Sequence, residues 1–332
     1  MNTLIIGGTR NIGYYLTLQL LAAGHRVTLL NRGITRDELP PELPRLRCDR
    51  TDPHQLRRAL SGRAFDVVVD TTLYKGDEAE VIADILNEQV GHYIFLSTGQ
   101  VYLVRQGLSR PFKEADYNGA IISAPEINTY DYEEYLYGFE KRQAEDALAA
   151  AYHAQGFPYT SLRLPMVNGE RDTMHRLYGY MLRIKDGGPV LVPDAPNYSL
   201  RHVYTQDVVQ AIMRVIDHGD AAKGKAYNIA QDETLSLEVF LGMIGDLVGI
   251  APRIIAVERE LLVANGFMPD CSPFSDRWMS ELDNTLSKQA LGMVYTPAAT
   301  YLAQIIAYYH ANPMPIPNGY KRRQSEKQLV TV

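Results

Sequence analysis

Apolar and polar positions follow two interleaved rhythms along the first half of the chain. Short apolar, β-branched runs stand at Thr3–Ile6, Arg26–Leu30, Arg45–Cys48, Asp66–Val69, His92–Leu96 and Tyr159–Leu164. Nearly continuous apolar runs of this length suit strands buried on both faces of a parallel sheet. Between them the spacing widens to the three-and-four rhythm of helices at Ile12–Ala23, Pro53–Leu60, Asp77–Glu88 and Glu133–Ala154. Alternating strands and helices predict the α/β class, a doubly wound parallel sheet.

After Pro165 the rhythm changes. A helical pattern at Met174–Lys185, a turn at Gly187–Pro189 and a short strand at Val190–Val192 read as an insertion. Thr205–Ile216 is a well-formed helix with Thr205 as its cap, and Ala226–Ile229 adds a further strand to the sheet. From Leu235 to Asn312 the pattern is mostly helical. The expected division is a nucleotide-binding domain over 1–164 to which 202–230 returns, and a smaller, mostly helical substrate domain from 165–201 and 231–312. Residues 313–332, rich in proline and then basic and polar, are expected to form a flexible tail.

Composition narrows the class. The 332 residues are 46% hydrophobic and 22% charged, ordinary globular usage, with a net charge of −6. An acidic balance argues against nucleic-acid phosphates or an anionic membrane as the main partner. Cys48 and Cys271 are the only cysteines, too few for a disulfide framework or a zinc site, so no metal is expected. No apolar run reaches the ~18 residues that span a bilayer. Only Met1, Asn2 and Thr3 precede the continuously apolar part of the first strand, and a cytoplasmic protein is expected.

The first strand runs into Gly7-Gly8-Thr9-Arg10-Asn11-Ile12-Gly13 and then a helix. Glycine here lets a pyrophosphate approach the unpaired N–H groups of a helix N-terminus, where the dipole favours negative charge. Gly7, Thr9, Arg10, Asn11, Ile12 and Gly13 are therefore the cofactor candidates; a tight turn without ligand is the plainer alternative. The second strand ends in Leu30-Asn31-Arg32-Gly33, with no acid at its end. A carboxylate there would accept from a ribose 2′-hydroxyl, whereas Arg10 and Arg32 would attract a 2′-phosphate. Arg10 and Arg32 thus point to NADP, with NAD as the alternative, and Asn31 joins them as a cofactor candidate. Asp49, at the end of the third strand, caps the next turn or takes the adenine contact that the family resemblance below implies.

Tyr137 and Lys141 lie four apart on one helix face, an arrangement that favours phenolate and hence proton exchange with a hydroxyl or carbonyl. The fifth strand ends in Leu96-Ser97-Thr98-Gly99-Gln100-Val101-Tyr102, at the edge where open α/β sheets bind ligands. Together the glycine turn, the tract Tyr135–Glu145 and this strand end resemble the extended short-chain dehydrogenase/reductase family of NAD(P)-dependent epimerases and dehydratases. In place of the middle glycine of the GxxGxxG turn the chain has Arg10, as in an atypical GGTRxIG branch. Further similarity at Leu162–Gly169, Ala226–Ile229 and Asp283–Gly292 carries the resemblance to about Tyr309.

The resemblance implies a Rossmann-type fold, with Tyr137 as acid/base, Lys141 tuning it and contacting the nicotinamide ribose, and Thr98 bonding the reacting oxygen; Ser97 is the near alternative to Thr98. Gln100, Tyr102, Asn168 and Arg201 are substrate-side candidates, and the substrate class implied is a nucleotide sugar. Relatives that eliminate water carry an acid two residues after the threonine. Here Gln100 stands in that region and cannot carry a proton, so epimerisation or net redox is expected rather than dehydration or decarboxylation. Reduction of a small carbonyl compound, or a non-catalytic RNA-associated or cofactor-sensing role, are the alternatives. The resemblance also implies a homodimer.

Overall fold

The first half of the chain supplies six strands, and Lys225–Asn228 a seventh, of a single parallel sheet in the computed structural model, which describes residues 1–312 and 314–330. Tertiary contacts divide the chain into two units: Met1–Pro165 with Thr205–Ala230 and Leu282–Val294, and Met166–Tyr204 with Gln231–Glu281 and Tyr295–Val332. In the first unit the strands, numbered along the whole chain, are β1 (Asn2–Ile6), β2 (Arg26–Asn31), β3 (Arg45–Arg47), β4 (Phe65–Asp70), β5 (Val90–Thr98), β6 (Tyr159–Leu164) and β10 (Lys225–Asn228). They lie in the order β3-β2-β1-β4-β5-β6-β10. Ile6 pairs with Leu30 on one side and with Asp70 on the other. The connections reverse direction between β1 and β4, which opens a crevice at the carboxyl ends of those strands.

The helices of this unit are α1 (Asn11–Ala22), α2 (Pro53–Leu60), α3 (Gly76–Leu86), α4 (Gln100–Leu103), α5 (Tyr130–Gln155), α7 (Thr205–His218) and α10 (Thr285–Leu291). Leu56, Ile82, Leu86, Ala144 and Leu148 from α2, α3 and α5 bury a continuous core against Leu4, Val68, Tyr93 and Phe95 of the sheet. α1 packs with α7. α5 starts earlier than its apolar spacing predicts, because Thr129 caps it by accepting from the Tyr132 amide at 3.2 Å. Tyr130, Tyr132, Tyr135 and Tyr137 are thereby in its first turns. Residues 282–294, expected in the second domain, belong to the first unit: the Asp283 amide donates to the Phe112 carbonyl and the Asn284 side chain to that of Ala230, both at 2.8 Å.

The second unit pairs β7 (Val167–Asn168) with β9 (Val203–Tyr204), and β8 (Pro189–Pro193) with β11 (Arg253–Val257), all parallel. Its helices are α6 (Arg176–Lys185), α8 (Leu237–Val248), α9 (Arg259–Ala264), α11 (Ala298–Ala311) and α12 (Arg323–Leu329). Tyr180, Phe240, Phe274 and Tyr301 fill its core.

The expected flexible tail is the clearest correction. Asn318–Arg322 forms a 3₁₀ turn that runs into α12, and buried ions hold both in place. Arg183 Nη2 reaches Glu326 at 2.5 Å, and Arg323 reaches Asp186 at 2.7 Å and Glu326 at 3.0 Å. Thr331 and Val332 of that tail, and Pro313, lie outside the described residues.

Candidate active site

The glycine turn is shaped for close backbone approach. Gly7 and Gly8 hold φ of +99° and +85°, and a Cβ on Gly7 would lie 2.2 Å from Thr71 Oγ1. A Cβ on Gly13 would lie 2.6 Å from the Gly8 Cα, so that glycine lets the first turn of α1 close on the loop. Thr17 donates to the Gly13 carbonyl at 2.7 Å and the Gly8 carbonyl at 3.1 Å, tying helix to turn. Asn11, at φ +40°, accepts from Thr205 Oγ1 at 3.0 Å. Thr9 and Ile12 are half-buried beside it. This open cradle at a helix N-terminus fits a dinucleotide pyrophosphate.

At the end of β2, Asn31 Oδ1 accepts from the Gly33 amide at 3.0 Å and from Arg47 Nη1 at 2.5 Å. Arg47 was not anticipated: its signal is only its place at the end of β3, beside β2. Arg10 reaches across from the start of α1 and donates to Thr35 Oγ1 at 2.9 Å. Arg32 is exposed. Asp37, the nearest following acid, is spent on Arg45 at 2.8 and 2.9 Å. Asp49 Oδ1 accepts from the Thr51 amide at 3.0 Å and hydroxyl at 2.8 Å, the turn-capping alternative.

β5 and the start of α4 bring Thr98 and Gln100 to the carboxyl edge of the sheet. Thr98 Oγ1 accepts from the Gln100 amide at 3.3 Å. Ser97 instead donates to Glu145, whose carboxylate is also held by Arg163 at 2.6 Å, so its hydroxyl is committed to the core. Tyr102, expected on the substrate side, is a correction. It is 0% exposed, accepts from Arg163 at 2.7 Å, donates to Asn228 at 2.9 Å and stacks on Phe112. It faces the core, where Arg163 of β6 and Asn228 of β10 hold its hydroxyl.

α5 supplies the other half. Tyr137 is half-buried, its ring 6.1 Å from that of Tyr74. Lys141 is 3% exposed, and its ammonium donates to the carbonyls of Leu73 at 2.7 Å and Leu96 at 2.9 Å. The same nitrogen sits 4.6 Å from the Tyr74 ring centre and 4.8 Å from that of Phe95. The sequence expectation put this charge beside the Tyr137 phenol. Its two hydrogen bonds go to main-chain carbonyls instead, with the Tyr74 ring also against the charge. Burial pulls Lys141 down to about 7, against the opposing pull of Asp70 and Glu145. Tyr74 was not foreseen, since nothing marks an aromatic residue in a connecting loop.

Glu134, one turn before Tyr137, accepts a hydrogen bond from Gln100 Nε2. Gly138 makes room for this approach, since a Cβ there would lie 2.8 Å from the Gln100 carbonyl.

In the second unit Asn168 is buried and its amide meets His202 Nδ1 at 2.9 Å. His202 sits among Phe240 and Phe274, and burial lowers it to about 3. Arg201 donates to the Gln231 carbonyl at 3.0 Å and that of Asp232 at 3.3 Å, anchoring a loop. Among the described residues no group of His, Cys, Asp and Glu is placed to hold a metal, and no helix is long and apolar enough to cross a membrane.

Comparison with known proteins supplies a family. The model described as the NAD dependent epimerase/dehydratase family matches residues 3–92 and 78–230. A chloroplast stem-loop binding protein of 41 kDa from Arabidopsis thaliana is 26% identical over 248 residues, 71% of this chain and 60% of its own length. A 2′-dehydrokanamycin reductase from Streptomyces kanamyceticus is 26% identical over 152 residues, 46% of this chain and 39% of its own length. The chain thus spans less than two thirds of either relative. Among solved structures, a UDP-glucose 4-epimerase from Thermotoga maritima superposes with a TM-score of 0.72 at 19% identity, covering 94% of this chain and 99% of its own. A dTDP-glucose 4,6-dehydratase from Streptomyces venezuelae, solved with NAD, gives 0.71 at 20% identity, covering 94% and 98%. These likenesses establish the Rossmann-type fold.

Proposed function

This chain belongs to the NAD dependent epimerase/dehydratase family, and we propose that it moves hydride at a carbinol or ketone carbon of a sugar-nucleotide-like substrate, with Tyr137 as acid/base. The observation that carries this reading is Tyr137 on the same helix as the buried Lys141, with Thr98 and the glycine cradle at the carboxyl edge of the same sheet. When bound, a nicotinamide dinucleotide supplies the hydride carrier. Gly7, Gly8 and the start of α1 hold its pyrophosphate, and Thr98 Oγ1 bonds the reacting oxygen. Tyr137 takes the hydroxyl proton as a carbonyl forms and returns it in the reverse direction. Lys141, one turn along α5 and held by the Leu73 and Leu96 carbonyls, would favour the phenolate at Tyr137 while its ammonium keeps its proton.

NADP is the cofactor we infer, because Arg10, Arg32 and Arg47 bring cations to the end of β2 while Asp37 is neutralised by Arg45. A cytoplasmic homodimer through the two long helices α3 and α5 belongs to the same proposal, by analogy with the family. The test is a panel of sugar nucleotides and simple carbonyl compounds, read by nicotinamide absorbance and product mass. Tyr137→Phe is expected to lower turnover by about 10²–10⁴-fold with cofactor affinity retained. Full activity in that variant overturns the reading. A second reading, RNA association, is favoured only by the chloroplast relative's name. A gel shift with a structured RNA that persists above physiological salt would support it.

A further inference from the structure

A buried group of charges joins the end of β4 to α3. Asp70, 0% exposed, accepts on one oxygen from Arg50 Nη2 at 3.0 Å and from the Tyr93 hydroxyl at 2.8 Å. Its other oxygen accepts from the Thr72 amide at 2.8 Å and the Thr72 hydroxyl at 3.3 Å. Arg50 also donates to Glu78 of α3, and the same Glu78 oxygen accepts from the Tyr74 amide at 3.3 Å. One guanidinium spanning two carboxylates fixes direction as well as distance. The clasp thereby grips the short loop Thr71–Tyr74 at both Thr72 and Tyr74. That loop has two further contacts. At its start the Thr71 hydroxyl donates to the Ile6 carbonyl at 3.0 Å, and a Cβ on Gly7 would lie 2.2 Å from it, so Thr71 walls the glycine turn. At its end the Leu73 carbonyl accepts from the Lys141 ammonium at 2.7 Å, and the Tyr74 ring centre lies 4.6 Å from the same nitrogen.

We propose that Asp70 is a positioning residue: with Arg50 and Glu78 it sets the Thr71–Tyr74 loop, and through that one loop both the wall of the glycine cradle and the seat of Lys141. The proposal rests on the reading of Gly7–Gly13 as a dinucleotide cradle. Its content is a coupling, because a loop that walls one site and supplies a carbonyl to the other cannot loosen at one end alone. Charge follows the same connection. Asp70 from β4, Glu78 from α3 and Glu145 from α5 favour the charged form of Lys141, and Arg50 opposes it. Loss of the Asp70 charge therefore releases Thr72 and Arg50 and withdraws support from the ammonium together.

Two measurements on the full chain read the two ends of the loop without substrate turnover. Calorimetry gives the affinity for NADP, with NAD alongside, and carbon NMR of lysine-labelled protein gives the pH at which Lys141 loses its proton. Burial brings Lys141 to about 7, far from an ordinary lysine at 10.5, and Lys141→Met assigns its signal by removing it. Asp70→Asn keeps an oxygen for the Thr72 amide but sets an N–H₂ group against Arg50. It is expected to bind NADP about tenfold more weakly and to titrate Lys141 about one unit lower. Glu78→Gln, at the half-buried end of the clasp, is expected to move both readings the same way by less, and it carries the test if Asp70→Asn does not fold. Asp84→Asn, an exposed acid of the same helix paired with Arg57, is expected to change neither. A residue that only stabilises the fold would lower the melting temperature and leave both readings of the folded variant as in wild type, and that result overturns the proposal. So does either reading moving alone, since the loop joins the two. Wild type that binds neither NADP nor NAD overturns the cofactor reading itself, whereas variants that bind as wild type does overturn only the clasp.

Discussion

Lys141 shows how burial and chemistry pull one residue in opposite directions. Its ammonium has two carbonyl acceptors and two aromatic faces, yet loss of water lowers it from 10.5 to about 7. The unfolded chain binds this proton below its ordinary 10.5, the folded chain only below about 7. Between these values the unfolded state holds more protons, so this residue makes stability rise with pH across that window and adds a constant cost below it. Lys141→Met has no proton to lose. Urea melts of both proteins from pH 7 to 10 are expected to show wild type gaining on the variant; parallel curves would contradict the burial argument. The arginines at the end of β2 make a separate prediction at this scale. Arg32→Ala and Arg47→Ala should each weaken NADP by about tenfold, a charged hydrogen bond being worth ~1.5–3 kcal/mol, and leave NAD affinity nearly unchanged. Calorimetry that finds NAD preferred, or the ratio unaltered, removes the 2′-phosphate assignment.

Helices and strands carry the part of this molecule that is legible in its sequence. β1, the Gly7–Gly13 turn and α1 are legible because their determinants are local: apolar run, glycines at fixed offsets, then helical spacing. Tyr137 and Lys141 are legible for the same reason, four residues apart on one helix. What was not legible joins distant positions. Gln100 and Glu134 are 34 residues apart and Ser97 and Glu145 are 48 apart, and no local rhythm encodes which polar side chains pair. Tyr102 shows the limit most plainly, since its partners Arg163 and Asn228 come from two other strands. The turn permits a test of the local logic. An alanine at Gly13 would place its Cβ 2.6 Å from the Gly8 Cα, main chain that no rotamer change can move. Gly13→Ala is expected to cost ~1–3 kcal/mol in overpacking and to abolish dinucleotide binding by opening the cradle. A variant that binds cofactor like wild type would mean the α1 contact does not shape the cradle. By contrast Gly24→Ala, where a Cβ meets nothing within 4 Å, isolates the effect of positive φ alone.

At the scale of the whole chain, the C-terminal segment is part of the second unit's structure because ions from α6 and α12 complete each other. Arg183, 1% exposed, donates to both oxygens of Glu326, and Arg323 bridges Glu326 to Asp186. Burial pushes the Asp186 carboxyl up, but hydrogen bonds from Arg323, Gly188 and Lys327 outweigh it and hold it well below the usual carboxylate range. Removing one partner strands the other charge in the interior. Glu326→Leu alone should therefore lower stability by about 3–5 kcal/mol. Arg183→Met combined with Glu326→Leu removes both charges and should recover most of that loss, since paired burial gains little over apolar packing. The chain offers a built-in probe, because Trp278 is its single tryptophan, lies in the second unit and is buried. Two units need not unfold together, so tryptophan fluorescence and far-ultraviolet dichroism are read side by side in urea. Glu326→Leu is expected to move the fluorescence midpoint down, with the double variant returning it toward wild type. If the single change leaves that midpoint in place, α12 is not fixed by its charges. If the double variant is no better than the single, the segment is held by the pairing itself rather than by avoidance of an orphaned ion.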